Sequence, residues 1–229
     1  WSSDHFSFLV GARGDIAYDW RYDVSFQHGR NNRVQIRDGY TNLTNIQNAL
    51  DATSKDTCKN GVSSCVPIDL FGGYGTITSK MAGYARAIAS LKQTYEQTIM
   101  QGILDGPIEA IQMPTASSPL ALSLGYEYRD ESAELIPDEC LKLAPASCQG
   151  GAGGNLLPIA GGYDVAELFF EGMLPLINDR PFMQAVDMEF GYRQSDYSTV
   201  GKVHTNKFGL NWRLDDTILF RAMKQRATR

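Results

Sequence analysis

The sequence predicts an all-β fold, an antiparallel up-and-down sheet of about eight strands. Three observations predict it. Apolar and polar residues alternate with a period of two, the connections alternate between short and long, and aromatic residues gather near both ends of the apolar parity.

Composition narrows the classes before any element is read. With 229 residues, 43% hydrophobic and 21% charged, the chain has ordinary globular composition, which excludes disorder. Its 21 Lys+Arg against 26 Asp+Glu leave a net charge of -5 without a basic block, so a nucleic-acid partner has no electrostatic support. Apolar stretches are broken every second or third position, which excludes a transmembrane helix. A transmembrane strand stays open, because it needs only about ten alternating residues.

In chain order, Phe6, Phe8, Val10 and Ala12 face away from Ser7, Gly11 and Arg13, and Trp20, Tyr22, Val24 and Phe26 face away from Arg21, Asp23, Ser25 and Gln27. The span from Gln93 to Met113 reads as a poorer strand, since Glu96, Thr98 and Met100 share a face and Gly102, Gly106 and Pro107 interrupt it. Leu120, Leu122, Leu124, Tyr126 and Tyr128 then alternate with Ala121, Ser123, Gly125, Glu127 and Arg129. Ala166, Leu168, Phe170, Leu174 and Leu176 oppose Glu167, Phe169, Glu171 and Met173. Phe182, Val186, Met188, Phe190 and Tyr192 oppose Asp187, Glu189, Gly191, Arg193 and Ser195. Phe208, Leu210, Trp212 and Leu214 oppose Lys207, Gly209, Asn211 and Arg213, and Ile218, Phe220 and Ala222 oppose Thr217 and Arg221.

The connections at Gly14 to Asp19, Pro114 to Ser118, Asn178 to Pro181 and Asp215-Asp216 are short, while those near 37 to 92 and 135 to 161 are long. Short turns on one rim and long loops on the other are the layout of an outer-membrane barrel. Helical spacing of Leu43, Ile46 and Leu50, and of Met81, Tyr84, Ala85 and Ile88, predicts helical turns within the first long loop. Both cysteine pairs fall in the long loops, and their spacing predicts two local disulfides, Cys58 with Cys65 and Cys140 with Cys148. A zinc site would want two-residue gaps or nearby histidines, whereas His5, His28 and His204 are scattered.

A β-sandwich also alternates, and periodicity alone leaves it open. Aromatic placement favours the barrel. Trp20, Tyr22, Phe182 and Trp212 sit near the short-turn rim and Tyr126, Tyr128 and Tyr192 near the long-loop rim, as in two interfacial girdles. On this reading Glu127, Arg129, Glu167, Glu171, Asp187, Glu189, Arg193, Arg213 and Arg221 face the lumen. Leu122, Leu124, Leu168, Phe170, Phe190, Leu210 and Trp212 face lipid. Glu167 and Glu171, roughly 13 Å apart along a strand, are too distant for an acid/base dyad and fit a lumen network with Arg129, Arg193 and Arg221.

Longer strings add a resemblance. Cys65-Val66-Pro67-Ile68-Asp69-Leu70-Phe71-Gly72, the run Gly125 to Glu131, the run Gly162 to Glu171 followed by Pro175-Leu176, Tyr192 to Ser198 followed by Gly201, and the stretch Lys207 to Arg229 resemble segments of TonB-dependent outer-membrane receptors. The resemblance covers most of the chain in order. It implies a plugged barrel of about 22 strands that imports a scarce nutrient, such as a siderophore, cobalamin or saccharide, with energy relayed by TonB. The implied setting is the outer membrane of a Gram-negative bacterium. The implied partners are outer-membrane lipid, the protein's own plug domain, the TonB complex reached through an amino-terminal region, and a small-molecule ligand. No counterpart of the family's plug, TonB box or aromatic-ended last strand occurs in this sequence. Residues 1–229 are therefore expected to form a partial barrel domain, about a third of the whole, whose edge strands near Phe6 and Phe220 do not pair with each other.

Other motifs weigh less. Gly150-Gly151-Ala152-Gly153-Gly154 lacks the Gly-Lys-Ser/Thr of a phosphate loop, Arg13-Gly14-Asp15 falls at a short turn, and Asn42-Leu43-Thr44 reads as a chance glycosylation acceptor. With no Gly-x-Ser-x-Gly elbow and no histidine in a catalytic string, no enzyme and no cofactor is expected. The competing expectations are a passive porin-like channel and a secreted disulfide-bonded β-sheet binding module.

Overall fold

The computed structural model describes residues 1–142, 148–149 and 156–227. The glycine run from Gly150 to Gly154 and the terminal Arg229 lie outside the described residues. In chain order the elements are β1 (Ser2–Asp15), β2 (Arg21–Asn42), α1 (Leu43–Leu50), β3 (Ala52–Ser54), β4 (Thr57–Cys58), α2 (Ser79–Ala85), β5 (Arg86–Ile108) and β6 (Leu120–Pro137). There follow β7 (Cys148–Gln149), β8 (Ile159–Arg180), β9 (Met183–Tyr197), β10 (Gly201–Arg213) and β11 (Leu219–Arg226).

Eight long strands pair in the order β1-β2-β5-β6-β8-β9-β10-β11, so each joins the next long strand in the chain, and the two-residue β7 attaches to β2 through Thr41 and Asn42. This is the expected all-β, up-and-down arrangement. The order does not close, because β1 and β11 end it unpaired with each other.

Several boundaries differ from the alternation. β2, β5, β6 and β8 run on past the regular alternation, because ladder bonds join backbones and need no amphipathic rhythm. The long connections shrink accordingly to 43–85 and 138–158, and the turn expected at Pro114 to Ser118 widens to 109–119. Asn178, Asp179 and Arg180 belong to β8, leaving Pro181 and Phe182 as the turn, and Phe182 there has φ 60°. Ile88 lies in β5 instead of a helix. β5 read poorly because its even face carries a polar pair, Thr98 Oγ1 meeting His28 Nδ1 of β2 at 3.0 Å.

The chain divides into two compact units. The first comprises Trp1–His5, Arg30–Tyr95 and Ala133–Gly161. It contains both helices, and both expected disulfides are formed. Asn42 caps α1 by accepting from the Asn45 N–H at 3.0 Å, and Thr78 caps α2 by accepting from that of Met81 at 3.4 Å. Ala49, Ile68 and Ala85 form a buried cluster with Ile46, Met81 and Tyr84 around it. A second cluster packs the Cys140–Cys148 bridge with Tyr40, Ala89, Leu91 and Leu141. Asp138 ties its loop to β5, since its carboxylate accepts from the backbone N–H groups of Ser90 and Leu141.

The second unit comprises Phe6–Gly29, Glu96–Ser132 and Gly162–Arg229. Neither apolar cluster falls within it. Many of the large hydrophobics at its even-numbered positions, including Phe8, Leu124, Leu168, Leu210 and Phe220, are exposed. No helix among the described residues is long and apolar enough to cross a membrane, which leaves strands untouched by the statement.

Candidate functional site: a cross-linked polar face

Register brings the odd-numbered residues of the second unit together. Between β8 and β9, Glu167 faces Ser195, Phe169 faces Arg193 and Glu171 faces Gly191. Between β9 and β10, Gly191 faces Lys207, Glu189 faces Gly209 and Asp187 faces Asn211. Between β10 and β11, Asn211 faces Arg221.

Glu167 is buried, 4% exposed, and accepts from the Ser195 hydroxyl and from Arg193 Nη1 at 3.1 Å. The same guanidinium lies 4.6 Å from the Phe169 ring centre. Phe169 in turn covers Gly125, where a Cβ would come within 2.0 Å of the ring, so only glycine lets the ring lie against that backbone. Lys207 lays its stem over Gly191 and reaches Glu171 at 2.7 Å, spanning three strands. Asn211 donates to Glu189. On β5 and β6, Gln97 donates to Glu131 at 2.9 Å, Gln101 to Glu127 at 3.1 Å, and Arg129 to Glu131 at 3.1 Å. Nearer the short turns, Arg21 pairs with Asp105 at 2.8 Å.

Most of the candidate charges therefore enter one kind of surface, in which Glu127, Glu167, Glu171 and Glu189 are each held by a cation or an amide, while Asp187 makes no hydrogen bond or ion pair among the described residues. The network differs from the expected one. Glu167 and Glu171 take separate cations, Lys207 replaces an arginine at Glu171, and Arg221 has no carboxylate partner among the described residues. Arg213 likewise forms no ion pair among the described residues. Gln97, Gln101, Glu131, Ser195 and Lys207 were not among the candidates. Their odd parity was the available signal, and the neutral amides carry no charge to draw the eye.

On the other parity, Leu124, Leu168, Phe170, Leu210 and Trp212 are exposed, and Leu122 and Phe190 are half-buried. Rings line this face in pairs. Phe170 stacks on Tyr192 at 5.9 Å, Tyr192 on His204 at 5.8 Å, and Trp212 lies 5.6 Å from Phe220. Trp212 Nε1 donates to the Phe182 carbonyl at 3.0 Å, and Trp20 covers Gly106, both beside short turns. Leu120 and Leu174 are exceptions, buried on this parity, Leu174 next to the bulge at Pro175/Ile177.

Among the described residues no group of His, Cys, Asp or Glu could hold a metal ion. The arrangement binds charge to charge across strands. No protein-family model matches the sequence, and no curated protein matches it either.

Proposed function

We propose that this chain is part of the barrel wall of a TonB-dependent outer-membrane transporter, which captures a scarce small-molecule nutrient with its long loops and passes it inward using TonB-supplied energy. The observation that carries this reading is the inverted character of the second unit. Its apolar face is uncovered, and its polar face is cross-linked by ion pairs and amides. In water an uncovered face of this kind opposes folding, at about 25 cal/mol per Å² of apolar area left wet. In hydrocarbon it is the stable face, and the polar one borders a wet or plugged lumen. The aromatic pairs beside the turns fit the membrane–water boundary. The disulfide-stapled first unit fits the outer, oxidising side. A lumen wall of this polarity suits the protein's own plug domain as its neighbour.

Cellular uptake tests the proposal. The full-length protein should partition with outer membranes, and uptake of its nutrient should stop when the inner-membrane proton gradient is collapsed. Uptake that persists without the gradient would make it a passive channel. Recovery in the medium, outside the membrane fraction, would make it a secreted binding module.

A further inference from the structure

We propose that a cavity on the first unit's strands is a binding subsite for a small carboxylate with an apolar body. The cavity has a volume of about 430 Å³, within the range of small-molecule sites. Asn31 and Arg33 of β2 and Gln93 and Tyr95 of β5 border it, with Leu135 and Ile159 supplying apolar wall. The bonds Thr94 to Asn32 and His28 to Thr98 share one offset between β2 and β5, which sets Arg33 opposite Gln93 and Asn31 opposite Tyr95. Four polar side chains from two strands thus converge on one hollow.

The donors of Arg33, Gln93 and Asn31 are unspent among the described residues. Among the described residues the Arg33 guanidinium meets no carboxylate, and its partner is the Trp1 ring at 5.4 Å. The Gln93 side-chain amide makes no hydrogen bond among the described residues, and Asn31 is bonded through its Oδ1, which accepts from Ser3 at 3.4 Å. This contrasts with the second unit, where Arg21, Arg129 and Arg193 all hold carboxylates. A planar guanidinium with an amide beside it matches the two oxygens of a carboxylate, and Leu135, Ile159 and the Tyr95 ring suit an apolar remainder. Glu134 also borders the cavity, on the opposite parity of β6 from Leu135.

The subsite's role as a point of ligand capture rests on the transporter reading; its chemistry does not. The test uses full-length protein in lipid nanodiscs titrated with 3-phenylpropionate and, separately, its neutral analogue 3-phenylpropanamide. Saturable binding of the acid is expected, weaker by roughly tenfold to a hundredfold for the amide and for Arg33→Gln, with Arg33→Lys between them. Arg221→Gln, an arginine without a carboxylate partner outside the cavity, should bind like the parent. Equal binding of acid and amide, unchanged binding by Arg33→Gln, or an equal loss in Arg221→Gln would overturn the subsite. Carboxylate binding without gradient-dependent uptake would leave the subsite standing and remove the transporter. Gradient-dependent uptake without carboxylate binding would remove the subsite alone.

Discussion

The Glu167–Arg193 pair gives an asymmetric stability prediction. Its two ends differ in burial, the glutamate side chain being 5% exposed and the arginine 40%. Replacing Arg193 with Met strips the buried carboxylate of its cation and leaves the Ser195 hydroxyl as its remaining partner. An uncompensated buried charge costs about 3 to 5 kcal/mol. Replacing Glu167 with Gln keeps an acceptor for Ser195 at nearly the same volume. The guanidinium left behind is already partly in water and still rests on Phe169, so the expected cost is about 1 kcal/mol. Arg193→Met should therefore cost about 2 kcal/mol or more beyond Glu167→Gln. The double variant should recover part of the loss, with a coupling energy of about 1 to 3 kcal/mol. Urea unfolding of the full-length protein in phospholipid vesicles, followed by tryptophan fluorescence, measures all four corners. Equal costs for the single variants, or strictly additive costs in the double variant, would show that the burial difference does not govern this pair.

Three further outcomes are expected. Arg placed at Leu168 or Leu210, both exposed on the apolar face, should cost about 2 to 4 kcal/mol near the bilayer midplane, whereas Arg at Asn211, beside Glu189, should cost less; equal costs in vesicle unfolding would sink the facing assignment. Each disulfide closes a short loop, with sequence separations of 7 and 8, so its loss should cost about 2 to 3 kcal/mol locally while the long strands still assemble. Hydrogen exchange should rise around Leu91 and Leu141 when Cys140 and Cys148 become Ser, and peptide mapping that joined Cys58 to Cys140 or Cys148 would contradict the pairing. At the loop end of β2, the Arg86 guanidinium, donating from Nε at 2.6 Å, and then the Gly39 N–H hold the Asp38 carboxyl below its ordinary value. With the folded value depressed, the contact contributes fully above the ordinary carboxylate range and is lost as pH falls through the depressed value. Carbon-detected NMR titration should place Asp38 below other exposed aspartates, and Arg86→Gln should return it to their range.

The separation of the two parities and the all-β class were legible in the sequence because both are local. Side chains alternate along any strand, so the parities of Leu168 and Glu167, or of Leu210 and Asn211, could be separated without knowing a neighbour. The cysteine pairs were legible for the same reason, each lying within one loop. The helices followed from their spacing, except where Ile88 continued the helical count into a strand.

Only tertiary structure decided who meets whom. Register between β8, β9 and β10 places Gly191 between Glu171 and Lys207, and no pattern within one strand could choose that lysine over Arg221. Strand ends were likewise set by the partner's backbone, which continues a ladder after the apolar rhythm has stopped, as in β2 past Gly29. That extension carries Arg33 up to Gln93, two residues far apart in the chain that share a hollow because an antiparallel offset aligns them. A two-residue period is a property of each strand alone, whereas an offset is a property of a pair, and pairing is settled only when the strands assemble.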